Sequence, residues 1–354
     1  MNLLKETISS IEGQNKTSRA QAKERLDQLI MPHWALGQLM DLALNLAGIC
    51  GSLSPSLQRK IIVVMAGDHG ITAAGVSKFP QEVTVEMVRG FVNGVAGINA
   101  LAQQAGADVK IVDMGVAGDI SSLAASGKII NRKIAAGTEN FAERPAMSRE
   151  QAVSALEAGI TIAHDLAEST DLFGTGDMGI GNTSSSSAII ASLCQVPVAT
   201  VTGRGTGLDD DQLSHKITVL ERALTRHKPN PADPIDVLSK VGGFEIAGIA
   251  GLILGAATLK KPIIIDGFIS TAGALIAARL APQCRDYMIA AHRSVEQGHI
   301  IALKNLEKQP LLDLDFRLGE GTGAALAINL VEAAASLLTK VATFAEAGVS
   351  EAEG

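Results

Sequence analysis

The stretch of sequence that decides the fold is residues 60–70, which read KIIVVMAGDHG. A short run of apolar, mostly β-branched residues ends abruptly in glycine and polar residues. Such a run is typical of a buried β-strand, and the glycines after it indicate a turn. We therefore expect a strand over residues 60–66, with Asp68 and His69 directly after its carboxyl end.

The same design recurs along the chain. Apolar runs at 109–112, 171–173, 262–265 and 287–290 end in DMG, GTG, DG and AHR. Segments with helical periodicity lie between them, at 81–104, 149–167 and 269–280. Strands that alternate with helices predict an α/β protein with a doubly wound parallel sheet, covered by helices on both faces through right-handed crossovers.

The carboxyl edge of such a sheet is where open α/β folds bind ligands. One crevice there is expected to contain the polar residues that follow the strands: Asp68, His69, Asp113, Asp177, Asp266 and His292. No single one of them is evidence of a site, because an Asp that closes a strand is often just the cap of the next helix.

Both ends of the chain have a helical pattern. Residues 18–48 are predicted to be helical with an interruption at 32–37, and an Ala- and Leu-rich helix is predicted over 319–347. Since no strand follows that helix and no linker is visible, we expect a small discontinuous helical domain from residues 1–54 and 311–354. Residues 55–310 are expected to form a large Rossmann-like domain.

Composition excludes several classes of function. A net charge of −7 with only 8 Phe, 1 Trp and 1 Tyr disfavours a nucleic-acid-binding protein. The polar N-terminus has no signal-peptide layout, and the most apolar stretch, 247–259, is too short for a membrane span. Three distant cysteines, Cys50, Cys194 and Cys284, fit a reducing compartment. We expect a cytoplasmic protein without a membrane segment, metal site or cofactor.

Two glycine-rich segments suit phosphate. Residues 174–187, GTGDMGIGNTSSSS, match the dinucleotide fingerprint at Gly174, Gly176 and Gly179, but no clear acidic residue follows about 20 residues later. An NAD-dependent dehydrogenase is an alternative on the strength of these glycines.

Residues 202–211, TGRGTGLDDD, place Arg204 among glycines with Lys216 beyond. This arrangement favours an anion site or, equally, a mobile loop before a helix cap.

A third segment, RLGEGTGA at 317–324, places Glu320 between two glycines at the start of an apolar helix. The carboxylate is expected to face the crevice. A Glu in the first turn of a helix is also common, because it favours the positive end of the helix dipole.

Together these segments resemble the nicotinate-nucleotide–dimethylbenzimidazole phosphoribosyltransferase family. The resemblance rests on eight segments in the family's order: AGDHGI (66–71), GVSKFPQEVT (75–84), GTGDMGIGNTSSSSA (174–188), TGRGTGLDDDQLSHKI (202–217), NPADPIDVLSKVGGFEIAGIAG (230–251), IIIDGF (263–268), AAHRSVEQGH (290–299) and RLGEGTGAALA (317–327).

The resemblance implies a dimer that moves the 5-phosphoribosyl group of nicotinate mononucleotide to an aromatic base, with inversion, for the lower ligand of cobamides. It implies that Glu320 is the catalytic base. The residues expected to bind nicotinate mononucleotide are Gly176, Asp177, Met178, Gly179, Asn182, Thr183, Gly203, Arg204, Gly205, Lys216, Asp266 and His292. The residues expected to line the acceptor pocket are Trp34, Asp68, Phe79, Pro80, Met87 and Leu318.

The departures from the family pattern concern the acceptor. Residues 31–37 read MPHWALG where many members have KPPGSLG, and Asp177 stands where members often have Glu. Phe79 and Met87 replace Ser and Gln of some members, which makes the pocket more apolar. An alternative is therefore transfer to phenol or p-cresol in an enzyme with a paralogous second subunit. A further alternative, a non-catalytic scaffolding subunit, is disfavoured by the retention of Glu320, Arg204 and Lys216.

Overall fold

The computed structural model describes residues 3–205 and 207–350. Its centre is a six-stranded parallel sheet with the strand order β3-β2-β1-β4-β5-β6. The strands are β1 Lys60–Gly67, β2 Asp108–Gly115, β3 Ile130–Asn131, β4 Leu172–Met178, β5 Ile263–Ile265 and β6 Met288–Ala290. The direction of winding reverses between β1 and β4, and this switch point opens a crevice at the carboxyl ends of those strands.

Helices cover both faces of this sheet. They are α1 Leu3–Ser10, α2 Lys16–Asp27, α3 Gln38–Cys50, α4 Val83–Val92, α5 Gly97–Ala105, α6 Ser121–Ala125, α7 Arg149–Asp165, α8 Asn182–Cys194, α9 Asp210–His227, α10 Pro234–Val241, α11 Phe244–Thr258, α12 Phe268–Leu280, α13 His299–Leu306, α14 Thr322–Lys340 and α15 Phe344–Ala347. The α/β doubly wound class expected from the sequence is confirmed.

Strand β1 shows how the two layers are built. Val63 and Met65 pack into the apolar layer that contains α7, α8, α11 and α12. Ile62 and Val64 point to the opposite face and pack against α3, α5 and α14. All four side chains are fully buried. A continuous apolar run is needed here because a central parallel strand has no solvent-facing side.

The helices of the two chain ends lie together. Helix α2 packs on α3, and both contact α14, which also packs on α5 and on strands β4 and β5. By length and hydropathy α14 is apolar enough to cross a membrane. However, 61% of its apolar stretch is buried inside the protein, as in a core helix. Division into domains at residues 54 and 311 stays a prediction.

Several element boundaries differ from expectation. Strand β4 does not end at residue 173 but continues through the glycines to Met178. The helix expected over 81–104 is two helices, α4 and α5, separated at Gly94, which has a φ of +75°. The helix expected over 319–347 begins at Thr322 and ends at Lys340, and the short helix α15 follows it. A small parallel sheet of β7 His292–Ser294 and β8 Leu312–Phe316 was not expected.

Candidate active site

A cavity of about 340 Å³ lies at the carboxyl edge of the sheet, a volume suited to a small organic ligand. It brings together residues from six separate parts of the chain. The predicted site residues that line it are Phe79, Met87, Asp177, Met178, Gly179, Asn182, Thr183, Gly205, His292, Leu318 and Glu320.

Glu320 lies in this cavity on the loop before α14. Its side chain is almost buried, with 6% exposure, and its Oε2 accepts a hydrogen bond from the backbone N–H of Ile98 at 3.2 Å. Burial raises the pKa of the Glu320 carboxyl, while the Ile98 N–H opposes the rise. A carboxylate of raised pKa in a ligand-sized cavity is a competent general base.

The Glu320 loop is held by Gly176 and Asp266, two residues that were expected to bind substrate. Gly176 lies inside β4, where an added Cβ would be 2.5 Å from the carbonyl oxygen of Glu320. Asp266, after β5, accepts hydrogen bonds from the N–H groups of Gly321 at 3.1 Å and Ala324 at 3.0 Å. Neither Gly176 nor Asp266 lines the cavity. Burial raises the pKa of Asp266 to about 7, against the effect of these donors.

Asp177, the one acidic residue of β4, faces the cavity. Its Oδ2 accepts a hydrogen bond from Nδ2 of Asn182 at 3.0 Å, whereas its Oδ1 is buried and has no partner among the described residues. Burial, and then the charge of Asp266, raise the pKa of Asp177 well above its usual value. The unpartnered Oδ1 is therefore available for a hydrogen bond with a ligand.

A narrow recess of about 40 Å³ adjoins the cavity beside the start of α8. The Lys216 side chain lines it at 1% exposure, and its Nζ donates to Oγ1 of Thr183 at 3.0 Å. Burial lowers the pKa of Lys216 to about 8, although the Glu296 carboxylate opposes the shift. A buried ammonium group beside a helix N-terminus suits a phosphate.

Arg204 and Gly203 contribute less than expected. Arg204 lines the recess, but its guanidinium donates to the Leu208 carbonyl at 2.9 Å and pairs with Asp210. Gly203 lines neither the cavity nor the recess, and an added Cβ there would be 2.0 Å from Oε2 of Glu296. Thr206, within the same glycine-rich segment, lies outside the described residues.

His292, the first residue of β7, is 2% exposed and packs against the Phe316 ring with centroids 5.2 Å apart. Its Nδ1 has no hydrogen-bond partner among the described residues. Burial lowers the pKa of His292, so the ring is neutral at pH 7. It can therefore accept or donate a hydrogen bond in the cavity without adding charge.

The acceptor pocket is only partly as expected. Phe79, Met87 and Leu318 line the cavity, whereas Pro80 does not. Asp68 lies in a separate cavity, where its Oδ2 accepts a hydrogen bond from the Ala117 N–H at 2.8 Å. Asp68 therefore does not line this cavity, and its role in the acceptor pocket stays a prediction.

Trp34 also lies away from the cavity. Its Nε1 donates to Oδ1 of Asp41 at 3.0 Å, and its ring lies 5.6 Å from that of His33.

His69 and Asp113 were expected to face the crevice, but their polar groups bond within the protein instead. His69 is fully buried and faces Glu245, and Asp113 caps the backbone of Val116 at 2.9 Å.

Sequence reasoning missed several residues of the cavity. They are Ile180, Gly267, Phe268, Ile269, Ser294, Glu296, Arg317 and Gly319. Glu296 is 8% exposed, and its Oε2 is buried without a partner among the described residues. The sequence offered one signal for two of them: Ser294 and Glu296 follow shortly after His292, which was itself a predicted site residue. The unexpected strand β7 turns them back towards the cavity.

Comparison with known proteins agrees with this geometry. A family model described as a phosphoribosyltransferase matches residues 11–349. A protein of Syntrophotalea carbinolica named nicotinate-nucleotide–dimethylbenzimidazole phosphoribosyltransferase is 62% identical over 99% of both chains. A protein of Desulfotalea psychrophila with the same name is 54% identical over 100% of both.

A crystal structure of the enzyme with that name from Thermus thermophilus superimposes with a TM-score of 0.90 at 44% identity. The match covers 96% of this chain and 100% of the other. None of these relatives is named as a dehydrogenase, and the fingerprint glycines Gly174 and Gly176 lie inside β4 rather than in a turn. The chain belongs to the nicotinate-nucleotide–dimethylbenzimidazole phosphoribosyltransferase family.

Proposed function

We propose that the protein transfers the 5-phosphoribosyl group of nicotinate mononucleotide to 5,6-dimethylbenzimidazole or a similar aromatic base. The products are nicotinate and an α-riboside 5′-phosphate, for cobamide lower-ligand synthesis. The observation that carries this proposal is Glu320, an almost buried carboxylate in a cavity that adjoins the Lys216 recess.

In the proposed reaction Glu320 acts as the general base. One ring nitrogen of the acceptor attacks C1′ of the ribose from the face opposite nicotinate. The bond from C1′ to the pyridinium nitrogen breaks, and its electron pair neutralises that ring. The proton on the second acceptor nitrogen passes to Glu320. Because the leaving group is already cationic, the protein mainly has to position two rings and accept one proton.

The donor is assigned to the inner part of the site. Its 5′-phosphate occupies the recess formed by Lys216, Thr183 and Gly205 at the start of α8. Asp177 and His292 face the adjoining cavity, within which the nicotinate and ribose are placed. The unpartnered Oδ1 of Asp177 and Nδ1 of His292 supply hydrogen-bonding capacity that only a ligand satisfies.

The acceptor is assigned to the outer, apolar part of the cavity. Phe79, Met87, Met178 and Leu318 line this side and suit a flat aromatic ring. Transfer to a benzimidazole rather than a phenol follows the names of the relatives.

We further propose a cytoplasmic dimer. Large apolar side chains are exposed on the segments that border the cavity: Phe79 at 46%, Val295 at 49%, Leu314 at 56% and Leu318 at 60%. Such a patch is typical of a surface that another chain covers. Sedimentation should therefore give twice the chain mass of 36.6 kDa.

The test is incubation of the purified chain with nicotinate mononucleotide and, separately, dimethylbenzimidazole, phenol or p-cresol. Chromatography follows nicotinate release and the new riboside. We expect fastest turnover with dimethylbenzimidazole. Preference for a phenol would overturn the assigned acceptor but keep the reaction class, whereas no product with any acceptor would overturn the function of the isolated chain.

A further inference from the structure

A fully buried polar cluster lies beneath the start of α8, outside the lining of the cavity. His69, Ser185 and Glu245 each have 0% exposure. The Nε2 of His69 lies 2.6 Å from Oε1 of Glu245, and its Nδ1 lies 2.9 Å from Oγ of Ser185. No substrate reaches these atoms, so the cluster acts through the elements that it joins.

The hydrogen bonds define the charge of the cluster. The Ser185 hydroxyl donates its single proton to the carbonyl of Gly242 at 3.2 Å, so towards His69 it is an acceptor. The Nδ1 of His69 is therefore placed to donate to Ser185, and its Nε2 is placed to donate to the Glu245 carboxyl. Donation from both nitrogens would make the His69 ring an imidazolium, which is the state that the proposal below requires.

The cluster joins three elements around the phosphate recess. His69 follows β1, Ser185 is in the first turns of α8, and Glu245 is in the first turn of α11. The imidazole packs directly beneath the turn that precedes α8. An added Cβ would be 3.5 Å from Cδ2 of His69 at Gly179, and 3.1 Å from its Cβ at Gly181.

We propose that His69 is a positioning residue for the 5′-phosphate of the donor. Its charged ring, held between Glu245 and Ser185, fixes the turn at Gly179–Gly181 and places the cationic end of the ion pair towards α8. Glu245 is at the opposite end, where the N-terminus of α11 favours its negative charge. This inference rests on the proposed function, since it assigns the phosphate to the recess beside α8.

The first test compares serines of one helix. Ser185→Ala removes the hydroxyl that accepts from His69, whereas Ser186→Ala removes a buried hydroxyl of α8 that has no partner among the described residues. We expect Ser185→Ala to raise the KM for nicotinate mononucleotide about threefold, the value of one modest hydrogen bond. The kcat and the acceptor KM should be unchanged, and Ser186→Ala should behave like the parent.

The second test removes the charge. Glu245→Gln keeps the shape of the side chain, and we expect the KM for nicotinate mononucleotide to rise about tenfold, the scale of a lost charged hydrogen bond. Equal losses of kcat and of affinity for both substrates would show a general structural role and overturn the proposal. If this variant does not fold, the Ser185 and Ser186 pair decides.

Nitrogen-15 NMR of the histidines gives an independent readout, with His69→Gln used for assignment. We expect both ring nitrogens of His69 to be protonated in the parent protein, and one to lose its proton in Glu245→Gln. A neutral ring in the parent would overturn the proposal. Because this measurement needs no turnover, it separates failure of the His69 assignment from failure of the proposed reaction.

Discussion

At the scale of single residues, Glu320 occupies a backbone conformation that residues other than glycine rarely adopt. Its φ is +63°, between Gly319 at +82° and Gly321 at +95°. A left-handed conformation costs a non-glycine residue roughly 1 kcal/mol. The flanking glycines accept this turn without strain, and the carboxylate reaches the N-terminus of α5 as a result. The cost is concentrated on the one residue that the reaction needs.

Glu320→Gln should retain nicotinate mononucleotide binding and lose turnover by about 10²–10⁴-fold, the usual contribution of a general base. The wild-type rate should fall as acid protonates the carboxyl, at a pH above the ordinary Glu pKa of 4.5, because burial raises the pKa of Glu320. The residual rate of the variant should lack this acid limb. Rate–pH profiles of both proteins, with calorimetry for binding, test this, and near-wild-type turnover would remove Glu320 from the mechanism.

At the scale of elements, β4 shows what the sequence could and could not predict. The apolar run and its parallel neighbours were predictable from periodicity. The extension of β4 through Gly174 and Gly176 was not, because the glycines resemble a phosphate-binding turn. Glycine is needed at these two positions because of tertiary packing. An added Cβ would be 3.3 Å from Cβ of Ala324 at Gly174, and 2.5 Å from the Glu320 carbonyl oxygen at Gly176.

The candidate site, like β4, was predictable from the sequence only in part. Glu320, Asp177 and Lys216 stand in distinctive segments, and the structure places all three at the cavity or its recess. Asp68 and His69 follow a strand just as convincingly, yet their side chains bond to Ala117 and into the interior. The sequence pattern locates the edge of the sheet, but not which way each side chain points there.

Gly176→Ala tests the close packing of β4 against the Glu320 loop. The methyl group would push the Glu320 loop away, so we expect a loss of about 1–3 kcal/mol in the free energy of unfolding and a larger loss of kcat than of donor affinity. Gly90→Ala in α4 is the matched control, since its added Cβ meets only Val95 at 3.9 Å. That change should stabilise by up to about 1 kcal/mol. Denaturant unfolding and kinetics of both variants decide, and equal behaviour would contradict the packing role.

At the scale of the whole molecule, the site contains several buried acidic side chains whose burial lowers the stability of the folded protein. Burial raises the pKa values of Asp177, Asp266, Glu296 and Glu320. A carboxyl whose pKa is higher in the folded state binds more protons there than in the unfolded chain. Its charge therefore lowers stability as pH rises from the unfolded pKa through the folded pKa. The charged site is maintained at the expense of stability, as is common in enzymes.

Asp177→Asn should therefore stabilise the unligated protein at pH 8, raising Tm by about 2–4 °C. The gain should be smaller at pH 5 than at pH 8, because the folded carboxyl then binds a proton, and it should vanish only below the unfolded pKa near 3.8, where both states are neutral. Asp171→Asn is the contrasting control. Arg59 lowers the pKa of Asp171 to about 2, so its ion pair persists throughout this range and the variant should be destabilised about equally at both pH values. Thermal melts across the range measure both, and a gain for Asp177→Asn that does not change with pH would show that the buried charge is not its cause.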